Sequence, residues 1–196
     1  MMESIYPKKD ILNYMNTVKI SKEKMKLLLD KISEDNFEYG LIFKLCYIYG
    51  RLISEVYDVH EDDIDFEKNK IRFNINGEDM DFPLHNAVYD DLKRQCDETR
   101  GFLFHHLYDD FDKFVRNMNY QLRRYDAYCG VHISPRDFKK LRGQHLLLDG
   151  LDVKCITDLY CNYDNSATKR LIRYNDMLHL NDDVSVSDIL TDYTML

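Results

Sequence analysis

Residues 50–84 read GRLISEVYDVHEDDIDFEKNKIRFNINGEDMDFPL, and within them the hydrophobic period changes from that of a helix to that of a strand. Gly50 breaks an apolar helical run, and Leu52 to Val59 fits one further short helix. Beyond it, Ile64, Phe66, Ile71, Phe73 and Ile75 alternate with polar neighbours. Asn76-Gly77 is a strong two-residue hairpin signal, and Met80, Phe82 and Leu84 continue the alternation. The pattern predicts a small antiparallel sheet of about three strands over 64–84.

Helices flank this sheet on both sides. Ser21 reads as an N-cap, with Met25, Leu28, Leu29 and Ile32 on one face behind it. A second helix, about 36–49, carries Leu41, Phe43, Leu45, Cys46 and Ile48 and is apolar enough to be buried. After the sheet, helices are predicted over about 86–98, 107–128, 135–148, 152–161 and 165–174. Pro135 fits the first turn of its helix after Ser134. The expected fold is mainly α with a small antiparallel β-sheet, an α+β chain. Its expected parts are a lead segment (1–18), one domain (19–175) and an acidic tail (176–196) with a helix capped at Ser185 or Ser187.

Composition narrows the function classes. The chain has 196 residues, 44% hydrophobic and 32% charged, as a folded protein does. Its net charge of −8 argues against strong, indiscriminate nucleic-acid binding. The charge is uneven: residues 1–111 hold 15 Lys and Arg against 23 Asp and Glu, whereas residues 112–175 hold 12 against 7. No apolar run is long enough for a membrane span, and no secretory signal is read, so a cytoplasmic protein is expected. The five cysteines form no CxxC pair. His85, His105-His106 and Asp62-Asp63 lack metal-ligand spacing, and Gly-rich phosphate loops are absent, so neither a metal nor a cofactor is expected.

Three stretches in order resemble the catalytic domain of the tyrosine recombinases, the phage-integrase family. Ile20 to Leu29 (ISKEKMKLLL) resembles the family's opening helix. Gly50 to Phe73 resembles its G-L-R-[IV]-S-E block followed by an acidic D-I-D and a strand, and Phe82-Pro83-Leu84 its V-P-L. Ser134-Pro135-Arg136-Asp137-Phe138-Lys139 stands where the family has T-P-H-D-L-R, with Gly150 and Asn162 at the spacing of the later glycine and of the histidine of L-G-H. The resemblance covers about residues 19–175 and implies the recombinase fold.

The resemblance also implies a set of positions for attack of a tyrosine on a DNA phosphodiester. The chemistry needs a nucleophile, cations for the transition-state charge and an acid for the leaving oxygen. The first arginine falls on Leu52, with Arg51 beside it about 100° round the helix. The sheet lysine falls near Ile75. H-x-x-R becomes Arg136-x-x-Lys139, the late histidine becomes Asn162, and Tyr174 lies near the nucleophile's place. Each departs from the family's residue, save Tyr174, which requires three inserted residues. The expectation is therefore a chain that keeps the fold and is not an enzyme, with an active but diverged recombinase using Tyr174 as the remaining alternative.

What remains under that expectation is binding. Arg136, Lys139, Lys140, Arg142, Lys154, Lys169, Arg170 and Arg173 are the candidate DNA contacts, on helices that the resemblance turns toward the DNA backbone. The expected function is a sequence-specific DNA-binding regulator, repressor or recombination accessory factor, of a phage or mobile element. The alternative is a protein-interaction module that binds a recombinase or repressor partner without touching DNA. The apolar positions Met177, Leu178, Leu180, Val184, Val186, Ile189 and Leu190 suit residues 176–196 to a homodimer or partner contact.

Overall fold

A computed structural model describes residues 18–161 and 183–192. Helix α1 (Lys22–Asp35) opens at Ser21, whose hydroxyl accepts from the Lys24 amide, and turns Met25, Leu28, Leu29 and Ile32 inward. Asn36 serves two helices. Its N–H donates to the Ile32 carbonyl to close α1, and its side chain accepts from the Tyr39 amide to open α2 (Phe37–Ile48). Nearly every side chain from Gly40 onward in α2 is buried, so this helix runs through the centre of the molecule. A Cβ at Gly40 would overlap Ser33 of α1, so the two helices pack at backbone distance.

Gly50 then turns the chain at φ +62°, and a Cβ there would overlap the Tyr160 ring. Only glycine meets both demands, a left-handed backbone and a ring against its α-carbon. The short helix α3 (Ile53–Tyr57) follows, then a single turn of 3-10 helix (Glu61–Asp63). The sheet is as predicted: β1 (Ile64–Asp65), β2 (Lys70–Ile75) and β3 (Glu78–Pro83), antiparallel in that order. Ile75 pairs with Glu78 across Asn76-Gly77, and Ile71, Phe73, Ile75 and Phe82 face the core.

Helix α4 (Asn86–Glu98) starts at His85, whose ring nitrogen accepts from the Ala87 amide. The helix expected over 107–128 is shorter and divided. Asp110 caps α5 (Phe111–Arg123) by accepting from the Lys113 amide, and the Tyr108 carbonyl before it accepts from the Tyr57 hydroxyl. The break before α6 (Asp126–Cys129) falls where Tyr125 turns inward to donate to Asp35 of α1. Helix α7 (Asp137–Leu148) begins two residues later than expected: the Asp137 carboxylate accepts from the Ser134 amide and hydroxyl and so fixes the Ser-Pro-Arg turn. Helix α8 (Val153–Tyr160) is capped by Asp152. The helix expected over 165–174 lies outside the described residues.

Helix α9 (Val186–Asp192) is capped at Ser185, whose hydroxyl accepts from the Asp188 amide. It packs in cis on α8 and β3 with Ile189 and Leu190 buried. Among the described residues no helix is long and apolar enough to cross a membrane. All five cysteines are free thiols.

Candidate nucleic-acid interface and the buried cations beneath it

Three elements converge on one groove of about 470 Å³. Leu52, Ile53 and Ser54 come from the start of α3; Phe111, Asp112, Val115 and Asn119 from α5; Ser134, Pro135 and Arg136 from the turn before α7. The groove therefore joins two blocks that lie some 80 residues apart in the sequence. Its polar equipment is a guanidinium, a carboxylate, two hydroxyls and an amide. Leu52 stands at its lip, 43% exposed.

Three cations that the sequence suggested for this region lie below the surface. Arg51 is fully buried; its Nε donates to the Tyr49 carbonyl at 2.8 Å and its Nη2 to the Leu159 carbonyl at 2.6 Å. Its guanidinium lies 5.0 Å from the Phe82 ring centroid, and the Glu55 carboxylate is 4.0 Å away. Glu55 in turn accepts from the Leu52 amide at 2.7 Å, closing the first turn of α3. Lys139 is 4% exposed, with its ammonium 4.9 Å from the Tyr160 ring centroid. Burial, with the Arg51 charge beside it, lowers the Lys139 pKa to about 8. Arg142 is buried against the Tyr47 ring, and its Nη2 reaches the Ile189 carbonyl of α9 at 3.5 Å.

A further buried group on α7 completes the network. His145 contacts the Ile20 carbonyl through Nε2 at 2.8 Å and the Tyr47 hydroxyl through Nδ1 at 2.7 Å. A carbonyl only accepts, so Nε2 carries the proton and Nδ1 accepts from Tyr47. Burial holds the imidazole neutral by lowering its pKa. Helix α7 thus presents Lys139, Arg142 and His145 to the interior, where aromatic rings and carbonyls receive them.

These positions correct two of the expected DNA contacts. Lys139 and Arg142 are interior residues, because α7 packs against α2 and α8 and almost all of it from Phe138 to Leu147 is buried. Arg136 and Lys154 are exposed, and Lys140 is half-buried. Ile75, the place of the sheet lysine, is buried in the core. Asn162, Lys169, Arg170, Arg173 and Tyr174 lie outside the described residues. Among the described residues no three His, Cys, Asp or Glu side chains come together to hold a metal ion.

Beside the groove is a basic stripe that the sequence analysis passed over. Lys113, Arg116, Tyr120 and Arg123 of α5 are exposed and spaced three, four and three residues apart. At about 100° per residue they form one row, opposite the buried Phe114, Met118 and Leu122 and next to the groove-lining Asp112, Val115 and Asn119. Tyr120 is 64% exposed in the middle of it. None of the three cations forms an ion pair among the described residues. The signal that marks them is their spacing, visible in the sequence once the helix start is known.

No family model matches the chain. It is similar to the tyrosine recombinase XerA of Thermococcus kodakarensis, 28% identical over 157 residues, which are 76% of this chain and 56% of that protein. A second XerA, from Pyrococcus furiosus, is 24% identical over 87% of this chain and 62% of its own length. Among solved structures, the integrase from mycobacterium phage Brujita superposes with a TM-score of 0.57 at 16% identity, over 87% of this chain and 61% of that one. The chain spans about three fifths of the length of these proteins. The named relatives are recombinases, which are enzymes, and this corrects the expectation of a chain outside enzymology. That expectation rested on counting single positions; of the basic residues it weighed, Arg136 lines the groove, whereas Arg51 and Lys139 are buried.

Proposed function

Starting from a chain that carries an integrase-fold domain with tyrosine-recombinase relatives, we propose that it binds duplex DNA across the α5 stripe and the adjoining groove, and acts in DNA recombination. The observation that carries the reading is the row Lys113, Arg116 and Arg123, exposed beside a groove that offers Arg136. Exposed cations in a row track a phosphate backbone, and groove hydroxyls and amides read its edges. Arg136 supplies the fork that grips a phosphate in two places.

Selection of bound duplexes from a random-sequence pool, followed by mobility shift on the winner at about 50 and 150 mM salt, tests the reading. A retained shift that Arg116→Glu/Arg123→Glu abolishes supports it; selection that enriches no sequence, with no shift at either salt, overturns it. A nicked copy of the winner then reports strand transfer as a covalent protein–DNA band on a denaturing gel.

A narrower role, as a DNA-bound repressor or recombination accessory factor of a mobile element, is the second reading. It is favoured by Leu52, which puts an isobutyl group at the groove lip where the resemblance implies an arginine. A selected site that falls in the control region of the chain's own gene supports this role.

A further inference from the structure

On the α3 side of the groove, four aromatic rings lie in series, three of them stacked and the last tilted at 53°. The Phe102 and His105 rings lie 4.1 Å apart and nearly parallel, at 11°. His105 lies 4.2 Å from Tyr57 at 25°, and Tyr57 lies 5.3 Å from Phe111. Tyr57 is buried and backs the row, whereas its ends are open: Phe102 is 44% exposed and Phe111 38%. A buried core supplies no reason for both ends of such a stack to face water, and an exposed aromatic patch with a polar rim marks an interaction surface.

The rim is acidic. Asp58 has an oxygen 3.8 Å from His105 Nε2 and is 64% exposed. Burial, and then the charges of Asp58, Asp109 and Asp110, push the Tyr57 hydroxyl above its ordinary pKa. Phe111 is flanked in sequence by Asp110 and Asp112. Among the described residues no Lys or Arg pairs with Asp58, Asp109, Asp110 or Asp112. The nearest paired cation in this region, Arg100, is taken by Glu61 at 2.9 Å.

We propose that this face, Phe102, His105 and Phe111 rimmed by Asp58, Asp109 and Asp110, docks an arginine-bearing segment of a protein partner. Arginine is the side chain that satisfies both halves of the surface. Its planar guanidinium stacks on an open ring, and its fork pairs with a carboxylate. Lysine offers the charge without the plane. The negative charge of Asp58, Asp109 and Asp110 disfavours a nucleic-acid backbone on this face, so it and the basic α5 stripe sort two partners onto neighbouring faces that meet at Phe111.

The probes are two labelled peptides of alternating glycine with three arginines or three lysines, and an oligothymidylate, titrated onto the full chain by fluorescence anisotropy. The arginine peptide is expected to bind at least about fivefold tighter than the lysine peptide. Asp58→Asn/Asp109→Asn/Asp110→Asn is expected to weaken it about tenfold or more, and Phe102→Ala to remove the arginine preference. The asparagine variant keeps side-chain shape and the α5 cap, since Asn caps as well as Asp, so its result stands even where Phe102→Ala unfolds. Equal binding of the two peptides, or no loss in the asparagine variant, overturns the proposal. So does an oligothymidylate that displaces the arginine peptide from the wild type but not from the Phe102 variant, which would make the stack a nucleobase platform.

Discussion

Arg51 donates through Nη2 to the carbonyl of Leu159 at 2.6 Å, so the guanidinium of the GRLISE segment pins the end of α8 to the turn after α2. Its neighbour Leu52 faces the groove instead. One residue along the non-helical segment before α3 separates a structural cation from an exposed apolar side chain, and the two respond differently to change. Arg51→Met leaves the Tyr49 and Leu159 carbonyls without their donors and is expected to cost about 1–3 kcal/mol. Leu52→Ala is expected to stay within about 0.5 kcal/mol. Urea denaturation of both variants checks the contrast.

Leu52→Arg adds a cation at the groove lip. Under the proposed function it raises affinity for the selected duplex about threefold or more and steepens the salt dependence. Anisotropy titrations at two salt concentrations read this, and unchanged affinity means that DNA does not pass the lip.

Gly50 and Gly77 both have positive φ, +62° and +89°, but only Gly50 has a ring against its α-carbon. Gly77→Ala is expected to cost about 1 kcal/mol from backbone strain alone. Gly50→Ala has to displace Tyr160 as well and is expected to cost clearly more, about 2–4 kcal/mol. Thermal melts of the two variants side by side give the order.

Lys139 has a pH signature. Its folded pKa, about 8, lies below that of an unfolded lysine, about 10.4, so between these values the unfolded chain holds more protons. Stability from this group therefore rises with pH through that window, and the charge burial penalty is fully present below pH 8. Lys139→Met removes the penalty, so its stability advantage over wild type is expected to shrink steadily from pH 8 to 10. Paired denaturation curves at pH 7, 8, 9 and 10 test the trend, and a constant difference contradicts it.

Helix α9 closes over its own chain, with Ile189 fully buried and Arg142 reaching its carbonyl. Ile189→Asp buries a carboxylate in that seat and is expected to lower Tm by many degrees, equally at about 1 and 100 μM protein. A loss that grows on dilution would indicate that the helix is seated on a second copy.

The parts of the fold read well from the sequence are those in which burial leaves a period. Met25, Leu28, Leu29 and Ile32 announced the inner face of α1, and alternation across Asn76-Gly77 announced the β2–β3 register. The start of α5 was not legible, because its cap Asp110 sits between the apolar residues Leu107-Tyr108 and Phe111, which read as one run. The interior place of Lys139 and Arg142 was hidden for a related reason. Charge implies solvent unless partners are known, and the rings of Tyr160 and Tyr47 that receive these cations are remote in sequence. The α5 stripe was present in the spacing of Lys113, Arg116, Tyr120 and Arg123, but it emerges as one face only once α5 is known to begin at Phe111. The groove itself needed the fold, since Leu52, Phe111 and Arg136 meet only in three dimensions.

The salt dependence of duplex binding tests the central claim most directly. Each phosphate contact contributes about −0.9 to the slope of log affinity against log salt. Wild type, Arg116→Glu/Arg123→Glu and the control Lys93→Glu, an exposed residue on α4, would be titrated with the selected duplex from about 50 to 200 mM salt. The account predicts that the double variant flattens the slope by about 2 and weakens binding at every salt, while the control matches wild type. Coincident slopes for all three proteins would contradict it and take the DNA interface off α5.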